Sequence, residues 1–505
     1  MENTIQIKKS NKLQTTEDVT HFLLAHPKQK ARVLKTIKGE LHLRDSGLQK
    51  IETQFEEHQK SGAAKAFFQE IFLSDGASIH ILWLPENLGA YEVQTLMRQK
   101  LSPVLKKMSI GHLQLDLSGV RSSWHGDLIE YFIGLLELIQ WQPPKISKKP
   151  ETPLWKFRQV SLDIKSQLSP AKVKEHAHRA QLMGRAINLC RTLTDTPANH
   201  LTPKIYRQLL EKRSKANKYS FHFYDRKELT KLGAGAFLAV AQGHLEDASG
   251  IAHLWKKAKK ASAKKVVLVG KGLCFDTGGY NIKVKYMHGM QKDMGGSAVA
   301  LAAFELLAKL YPEIEFHAYL GITENLISHQ AYKPNDVITA LDGTTIEVTD
   351  TDAEGRMVLA DTLALARKEK PDLLLDYATL TGAAVNSIGT RRAAIFAQPE
   401  SLQNMALQVG QAAGERVWAF PMGEDYMENL KSEVADIVQC QLEPGVDHIN
   451  AATFLGHFVG KEIPWLHMDL STVENKGGLG LSETFTTGYG IRFTEALVRK
   501  YLRMK

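Results

Sequence analysis

Two short stretches of this chain hold side chains whose types and spacing suit metal or anion chemistry. The first runs Val269-Gly-Lys-Gly-Leu-Cys-Phe-Asp-Thr-Gly-Gly-Tyr-Asn-Ile-Lys283 and resumes at Met290-Gln-Lys-Asp-Met-Gly-Gly296. It reads as a strand ending in a glycine-rich loop that presents Lys271, Asp276 and Lys283, with Asp293 ten residues further on. Gly270-Lys-Gly and Gly278-Gly suggest a phosphate cradle, but the P-loop spacing is absent. Plain turns with solvated lysines answer the same pattern. The second stretch is Thr345-Ile-Glu-Val-Thr-Asp-Thr-Asp-Ala-Glu-Gly-Arg-Met-Val-Leu-Ala-Asp361. A strand over 345–349 is expected to deliver Asp350, Asp352 and Glu354 into a turn at Gly355, ahead of a helix rich in Leu and Ala. Alternate carboxylates after a strand suit a cation held by oxygen ligands. The same residues, with Asp361 at the twelfth position, resemble a calcium-binding EF-hand loop. That motif requires an entering helix and a closing Glu, and this segment offers a β-rich run and an Asp.

Charge links the two stretches. Asp276, Asp293, Asp352 and Glu354 would bring four negative charges into one cleft. Carboxylates roughly 4 Å apart repel by about 4 kcal/mol per pair at an effective dielectric near 20. Two divalent cations would cancel that repulsion. So would nearby lysines in ordinary salt bridges, and spacing alone leaves both answers open.

Such residues need elements to hold them. Apolar β-rich runs alternate with helical ones along the second half: Lys265-Val-Val-Leu-Val-Gly, Ala298 to Leu310, Glu315-Phe-His-Ala-Tyr-Leu-Gly, Met357 to Arg367, and Asp372-Leu-Leu-Leu-Asp-Tyr. This alternation predicts an α/β fold: a mixed, mainly parallel sheet sandwiched by helices. Sites in such sheets collect at the carboxyl ends of strands, where the charged motifs are expected to fall. Upstream, residues 64–84 read as strand, turn at Ser74-Asp-Gly-Ala, and strand. Tyr91 to Met108 is helical in spacing, and His112-Leu-Gln-Leu-Asp-Leu alternates as a strand should. With the apolar segment Leu128 to Trp141 these make a smaller N-terminal α/β domain. The expected division is 1–165 for that domain, 166–195 for a linker helix opening at Ser169-Pro170, and 196–505 for the domain with the charged motifs. The proline-rich Trp141–Pro150 stretch reads as a surface loop or linker.

Length favours two domains, with an apolar fraction of 43% that argues against extensive disorder. Three distant cysteines, Cys190, Cys274 and Cys440, argue against a disulfide framework or a zinc ribbon and fit a reducing compartment. The N-terminal residues do not read as a secretory signal, and Tyr131 to Trp141 is too short to span a bilayer. A cytoplasmic protein without membrane attachment is expected. The net charge of +9 is spread along the chain. The densest basic run, Lys256 to Lys265, reads as a solvated segment more readily than as a nucleic-acid patch.

The charged segments resemble the leucyl aminopeptidase (cytosol aminopeptidase) family of metallopeptidases. The family hallmark Asn-Thr-Asp-Ala-Glu-Gly-Arg-Leu appears as Asp350-Thr-Asp-Ala-Glu-Gly-Arg-Met357, and Val-Gly-Lys-Gly-x-x-Phe-Asp-x-Gly-Gly is matched from Val269 to Gly279. Similarity extends through Gly233–Gly243, Thr379-Leu-Thr-Gly-Ala383, Ala451–Leu455, Trp465–Leu470 and Thr487–Arg492. The resemblance implies an aminopeptidase that releases leucine and similar N-terminal residues from peptides with a water activated by two metals, Mn²⁺ or Zn²⁺. It implies that Lys271, Asp276, Asp293 and Glu354 hold one metal and that Asp276, Asp352 and Glu354 hold the other. Lys283 would polarise the scissile carbonyl, Arg356 would seat a bicarbonate ion as general base, and Met290, Thr379 and Leu380 would line the substrate pocket. A homohexamer is implied as well, the N-terminal domain serving assembly. His467 and His288 lie outside the family's ligand positions and are expected to be packed or exposed.

One departure stands out. The hallmark Asn is Asp350 here, which adds a carboxylate beside the presumed ligands. Two rival readings accompany the aminopeptidase: a relative that kept the fold and lost activity, and a DNA-binding or regulatory relative with incidental peptidase activity. The intact set of presumed ligands, with Lys283 and Arg356, speaks against the first, and a salt-sensitive shift on duplex DNA would mark the second.

Overall fold

The structure is a computed structural model of the chain and describes residues 4–12, 19–41, 43, 45–60, 66–72, 78–108, 111–147, 159–244, 248–259, 264–442 and 445–503. The expected turn at Ser74–Ala77, the end of the proline-rich stretch and the middle of the basic run lie outside the described residues. The chain packs as two compact units. One comprises Met1–Gln142, Ile146–Arg185 and Leu479–Glu483, and the other Pro143–Lys145, Ala186–Gly478 and Thr484–Lys505.

The first unit is built on a six-stranded sheet: β1 (Thr4–Ser10), β2 (Val19–Ala25), β3 (Phe67–Phe72), β4 (Ser78–Trp83), β5 (His112–Gly119) and β6 (Gln159–Lys165), in the order β1-β6-β5-β2-β4-β3. Only the β3–β4 pair is antiparallel. Phe55 and Phe67 pack on Trp83, whose indole donates to Gln69 Oε1 at 2.6 Å. The helical spacing noted upstream forms Ala90–Lys107, and the apolar run forms the helix His125–Ile139. Five residues from late in the chain complete this unit. Gly480 O accepts from Arg98 Nε at 2.8 Å, and the Glu483 carboxylate accepts from Ser102 Oγ at 2.5 Å and pairs with Lys106.

The second unit holds β7 (Ser220–Asp225), β8 (Gly250–Lys256), β9 (Lys265–Asp276), β10 (Glu315–Asn325), β11 (Val337–Thr339), β12 (Thr345–Glu347), β13 (Leu373–Ala378), β14 (Ala393–Gln398), β15 (Val417–Ala419), β16 (Ile437–Val438) and β17 (Trp465–Asp469). Eight of them form one sheet in the order β15-β14-β17-β13-β9-β10-β8-β7. Its centre, β17-β13-β9-β10, is parallel, and antiparallel pairs flank it. The central strands are buried and rich in Val, Leu and Ile, as parallel strands covered on both faces must be. Two helices show how closely they are covered. A Cβ added to Gly270 would lie 2.5 Å from Ser297 Cα, on the Gly295–Leu310 helix. One added to Gly321, on the opposite face, would lie 2.6 Å from Val358 on the Glu354–Ala366 helix.

The structure corrects two local expectations. Lys271 and Asp276 lie within β9 itself, because the β9–β10 ladder continues to Asp276, opposite Asn325. The strand before the acidic turn stops at Glu347 and belongs to a separate three-stranded sheet, β11-β12-β16, so the turn does not extend from the main sheet. Its short parallel ladder with β16 ends because Gln439 Oε1 takes the amides of Thr349 and Asp350 instead. All three cysteines are free and buried. Among the described residues, no helix is long and apolar enough to cross a membrane.

Candidate metal centre

β9 enters the site with Lys271 on the face covered by the Glu354–Ala366 helix. Gly355, the second residue of that helix, has no side chain, and a Cβ there would sit 2.6 Å from Lys271 Nζ. The lysine fits against the helix start only because this position is glycine. Its ammonium lies 2.9 Å from Asp293 Oδ2, 2.9 Å from Glu354 Oε1 and 3.1 Å from the Thr379 carbonyl. Five residues on, Asp276 ends the strand and accepts from Gly278 N at 2.9 Å and Asn325 Nδ2 at 2.8 Å. Lys283 Nζ bridges Asp276 Oδ2 (2.8 Å) and Asp352 Oδ1 (2.5 Å). Lys271, Asp276, Lys283, Asp293, Asp352 and Glu354 are therefore gathered into one cluster.

The loop after β9 and the acidic turn are stitched together by side chains that the sequence reading did not single out. Thr351 Oγ1 donates to Gly278 O at 2.7 Å and accepts from Asn281 N at 2.8 Å, while Thr351 N donates to Asn281 Oδ1 at 3.1 Å. Asn325 Nδ2 reaches the Thr351 carbonyl at 3.0 Å as well as Asp276. Gly278 adopts a φ of +85°, a region that disfavours other residues, and the loop folds back so that a Cβ there would approach Asp352 Oδ1. Asp350 accepts from Asp352 N at 2.8 Å, orienting the turn. Asp361 turns away, accepting from the amides of Phe237 and Leu341, so the turn is not an EF-hand loop.

Burial dominates the electrostatics. It pushes the carboxyls of Asp293 and Asp352 up to about 6 and that of Glu354 up to about 8, and the neighbouring Asp276 charge adds to each shift. Burial works against the charge on Lys271 too, but the pull of Asp293 and Glu354 outweighs it and raises the lysine's pKa. Four carboxylates face two ammonium groups, an excess of negative charge. Glu354 Oε2 is buried without a hydrogen-bond partner, and ligand oxygens of Asp276, Asp352 and Glu354 lie within 4.8 Å of one another. A buried acceptor with no donor costs free energy unless a cation serves it, so this donor set fits hard or borderline divalent ions.

The other expected site residues surround this cluster. Thr379 Oγ1 donates to Asp293 Oδ1 at 2.7 Å, and Leu380 N donates to Asp469 Oδ1 at 2.9 Å. Met290 is half-buried at the head of the Met290–Met294 turn that carries Asp293. Arg356 is buried and turned to a different partner: Nη2 makes a two-pronged contact with Asp447, at 2.7 and 2.9 Å, and Nη1 donates to Gln439 O. Asp447 lies far along the chain, and no spacing pointed to it. His467 is buried in β17 with Nδ1 2.6 Å from Asp376, and His288 is exposed; neither joins the cluster.

Residues 188–494 match the family described as cytosol aminopeptidase, catalytic domain. A probable cytosol aminopeptidase of Synechococcus sp. (strain WH7803) is 41% identical over 310 residues, which is 61% of this chain and 62% of that relative's length. One from Persephonella marina is 33% identical over 349 residues, 69% of each chain. A mutant tomato leucine aminopeptidase superposes with a TM-score of 0.82 at 25% identity, covering 99% of this chain and 97% of its own. With the family match spanning more than half its residues, the chain belongs to the cytosol aminopeptidase family.

Proposed function

We propose that the chain is a metal-dependent aminopeptidase that releases leucine and similar N-terminal residues from peptides. The observation that carries this reading is the buried cluster of four carboxylates at the end of β9, with Glu354 Oε2 unserved by any donor. Asp276, Asp293, Asp352, Glu354 and a deprotonated Lys271 are the donors that would hold two divalent cations, Mn²⁺ or Zn²⁺. Such ions, when bound, supply Lewis-acid activation of a water nucleophile. Lys271 gives up its proton on loading, so metal uptake is coupled to proton release. Lys283 then keeps its charge free to polarise the scissile carbonyl and stabilise the oxyanion. The peptide's free α-amine is drawn to an acidic pocket, which favours exopeptidase action. Met290, Thr379 and Leu380 border the pocket for the first side chain.

Arg356 is the residue that would seat a bicarbonate ion. Asp447 already presents a carboxylate to the same guanidinium, so the anion competes with it for that seat. Assembly as a homohexamer and a cytoplasmic location belong to the same reading and rest on the family membership. The deciding experiment is hydrolysis of an aminoacyl chromogenic substrate by metal-stripped protein, before and after Mn²⁺ or Zn²⁺ is restored. Activity is expected only with metal; activity that survives thorough chelation overturns the reading.

A further inference from the structure

A second set of ligand-type side chains converges away from this centre. His253 on β8, His317 on β10 and Glu369, in the single turn Arg367–Glu369, each bring one ligand atom to within 4.8 Å of the others. The β8–β10 register pairs His253 with Tyr319 and Trp255 with His317, so the four rings share one face of the sheet. That face is the one covered by the Glu354–Ala366 helix, because Tyr319 and Gly321 alternate along the same side of β10. Glu354 begins the helix and Glu369 follows its end, which places the two clusters about 20 Å apart at 1.5 Å per residue.

The donors are spaced for an ion. His253 Nε2 is 2.9 Å from His317 Nδ1, and Glu369 Oε2 is 3.8 Å from the same nitrogen. A four-coordinate ion with bonds near 2.05 Å sets its donors about 3.3 Å apart, between those two separations. Each donor is also held from behind. Glu315 Oε1 lies 2.8 Å from His317 Nε2 and accepts a hydrogen bond from its N–H, leaving a lone pair on Nδ1 facing inward. A carboxylate behind a histidine ligand is the usual support of such sites. Tyr319 donates to Glu369 Oε1 at 2.9 Å, which leaves Oε2 as the inward oxygen. The His253 ring stacks on Tyr319 and Trp255. Both histidines are buried, and burial lowers the pKa of each, which keeps them neutral.

We propose that His253, His317 and Glu369 form a binding site for a divalent transition ion of the zinc class, separate from the Lys271–Glu354 cluster and with its fourth position open to water. Two neutral histidines and one carboxylate are a zinc donor set. Loading costs no net proton: the hydrogen that His253 Nε2 shares with His317 Nδ1 moves to His253 Nδ1. Lys265, 3.2 Å from Glu369 Oε2, keeps the Glu369 carbonyl and Glu315 as partners. An ion here ties β8 and β10 to the end of the helix whose first residue is Glu354.

The test is a cobalt count on metal-stripped full-length chain, read by elemental analysis after gel filtration and by visible absorption. His317→Gln and Glu369→Gln are each expected to lose one equivalent relative to wild type, together with the strong visible band of four-coordinate Co²⁺. The double variant Asp352→Asn, Glu354→Gln is expected to keep that equivalent and band, and Zn²⁺ to displace them. Tyr319→Phe, which removes one hydroxyl and guards against misfolding of the ligand variants, is expected to weaken cobalt binding roughly tenfold. The same equivalents in the His317, Glu369 and wild-type proteins, or loss of every equivalent in the double variant, overturns the proposal.

Discussion

The two ends of strand β9 meet the same pairing problem and solve it differently. Lys271 and Lys265 share one face of the strand, and each lies between two carboxylates: Asp293 and Glu354 at one end, Glu369 and Glu315 at the other. The Lys271 side chain is 3% exposed and that of Lys265 is 26% exposed. Burial resists ionisation at both ends. Around Glu354 it wins, and the carboxyl rises to about 8. Around Glu369 and Glu315 the neighbouring His317, Tyr319 and Lys265 win, and both carboxyls fall below their usual value. Where desolvation outruns the partners, as around Glu354, a charge left short of them calls for a stronger one; around Glu369 the partners keep the carboxylate ionised and so ready to act as a ligand.

This contrast can be broken by substitution. The largest effect belongs to the buried end: Glu354→Ala or Asp352→Ala is expected to abolish metal-restored hydrolysis of an aminoacyl chromogenic substrate, whereas Lys265→Met leaves it unchanged. Equal losses at both ends would erase the distinction. Next comes Lys283→Met, expected to lower kcat by roughly 10²- to 10³-fold with a smaller change in KM, as removal of an oxyanion donor does. Gly355→Ala drives a methyl into Lys271 and should destabilise the fold by about 1–3 kcal/mol, read from urea midpoints.

Asp361, in the middle of the same helix, offers a finer test. Burial pushes its carboxyl up to about 7, against the pull of the Leu341 and Phe237 amides. The folded state therefore holds a proton that the unfolded chain has already released. Its stability contribution is full below the ordinary value of 3.8 and is lost as pH rises through about 7. Asp361→Asn should gain on the wild type between about pH 5 and about pH 8, and a variant that loses ground over that span reverses the assigned sign. The smallest effect is expected at Asp447. Replacing it with Ala frees Arg356 and should make activity more responsive to added bicarbonate; an unchanged response would separate that ion pair from catalysis.

Much of this organisation was legible in the residues themselves. Buried parallel strands leave near-continuous apolar runs, so β9, β10 and β13 could be read directly. The carboxylates and lysines fall in two short windows whose crowding foretold one cluster. Asn325, Thr351 and Asp447 could not be found that way. Each acts through a partner brought close by the fold: Asn325 by the β9–β10 register, Thr351 by the loop that folds back at Gly278, and Asp447 by the approach of its helix to Arg356. The end of β12 was misjudged for a related reason. Val348 and Thr349 have strand-like side chains, but the amide of Thr349 is claimed by Gln439 from a distant segment. Local patterns report what a residue prefers, and long-range partners decide what it does.

The five residues Leu479–Glu483 bear on how the chain is made. The first unit has its sheet by Lys165, yet Gly480 and Glu483, which accept from Arg98 and Ser102, are made only much later. At roughly 5–20 residues per second of synthesis, the growing chain carries an incomplete first unit for tens of seconds while the second unit is assembled behind it. A fragment cut after Arg185 would never receive its closing segment, so trimming this protein at the apparent boundary would yield a first unit lacking part of itself.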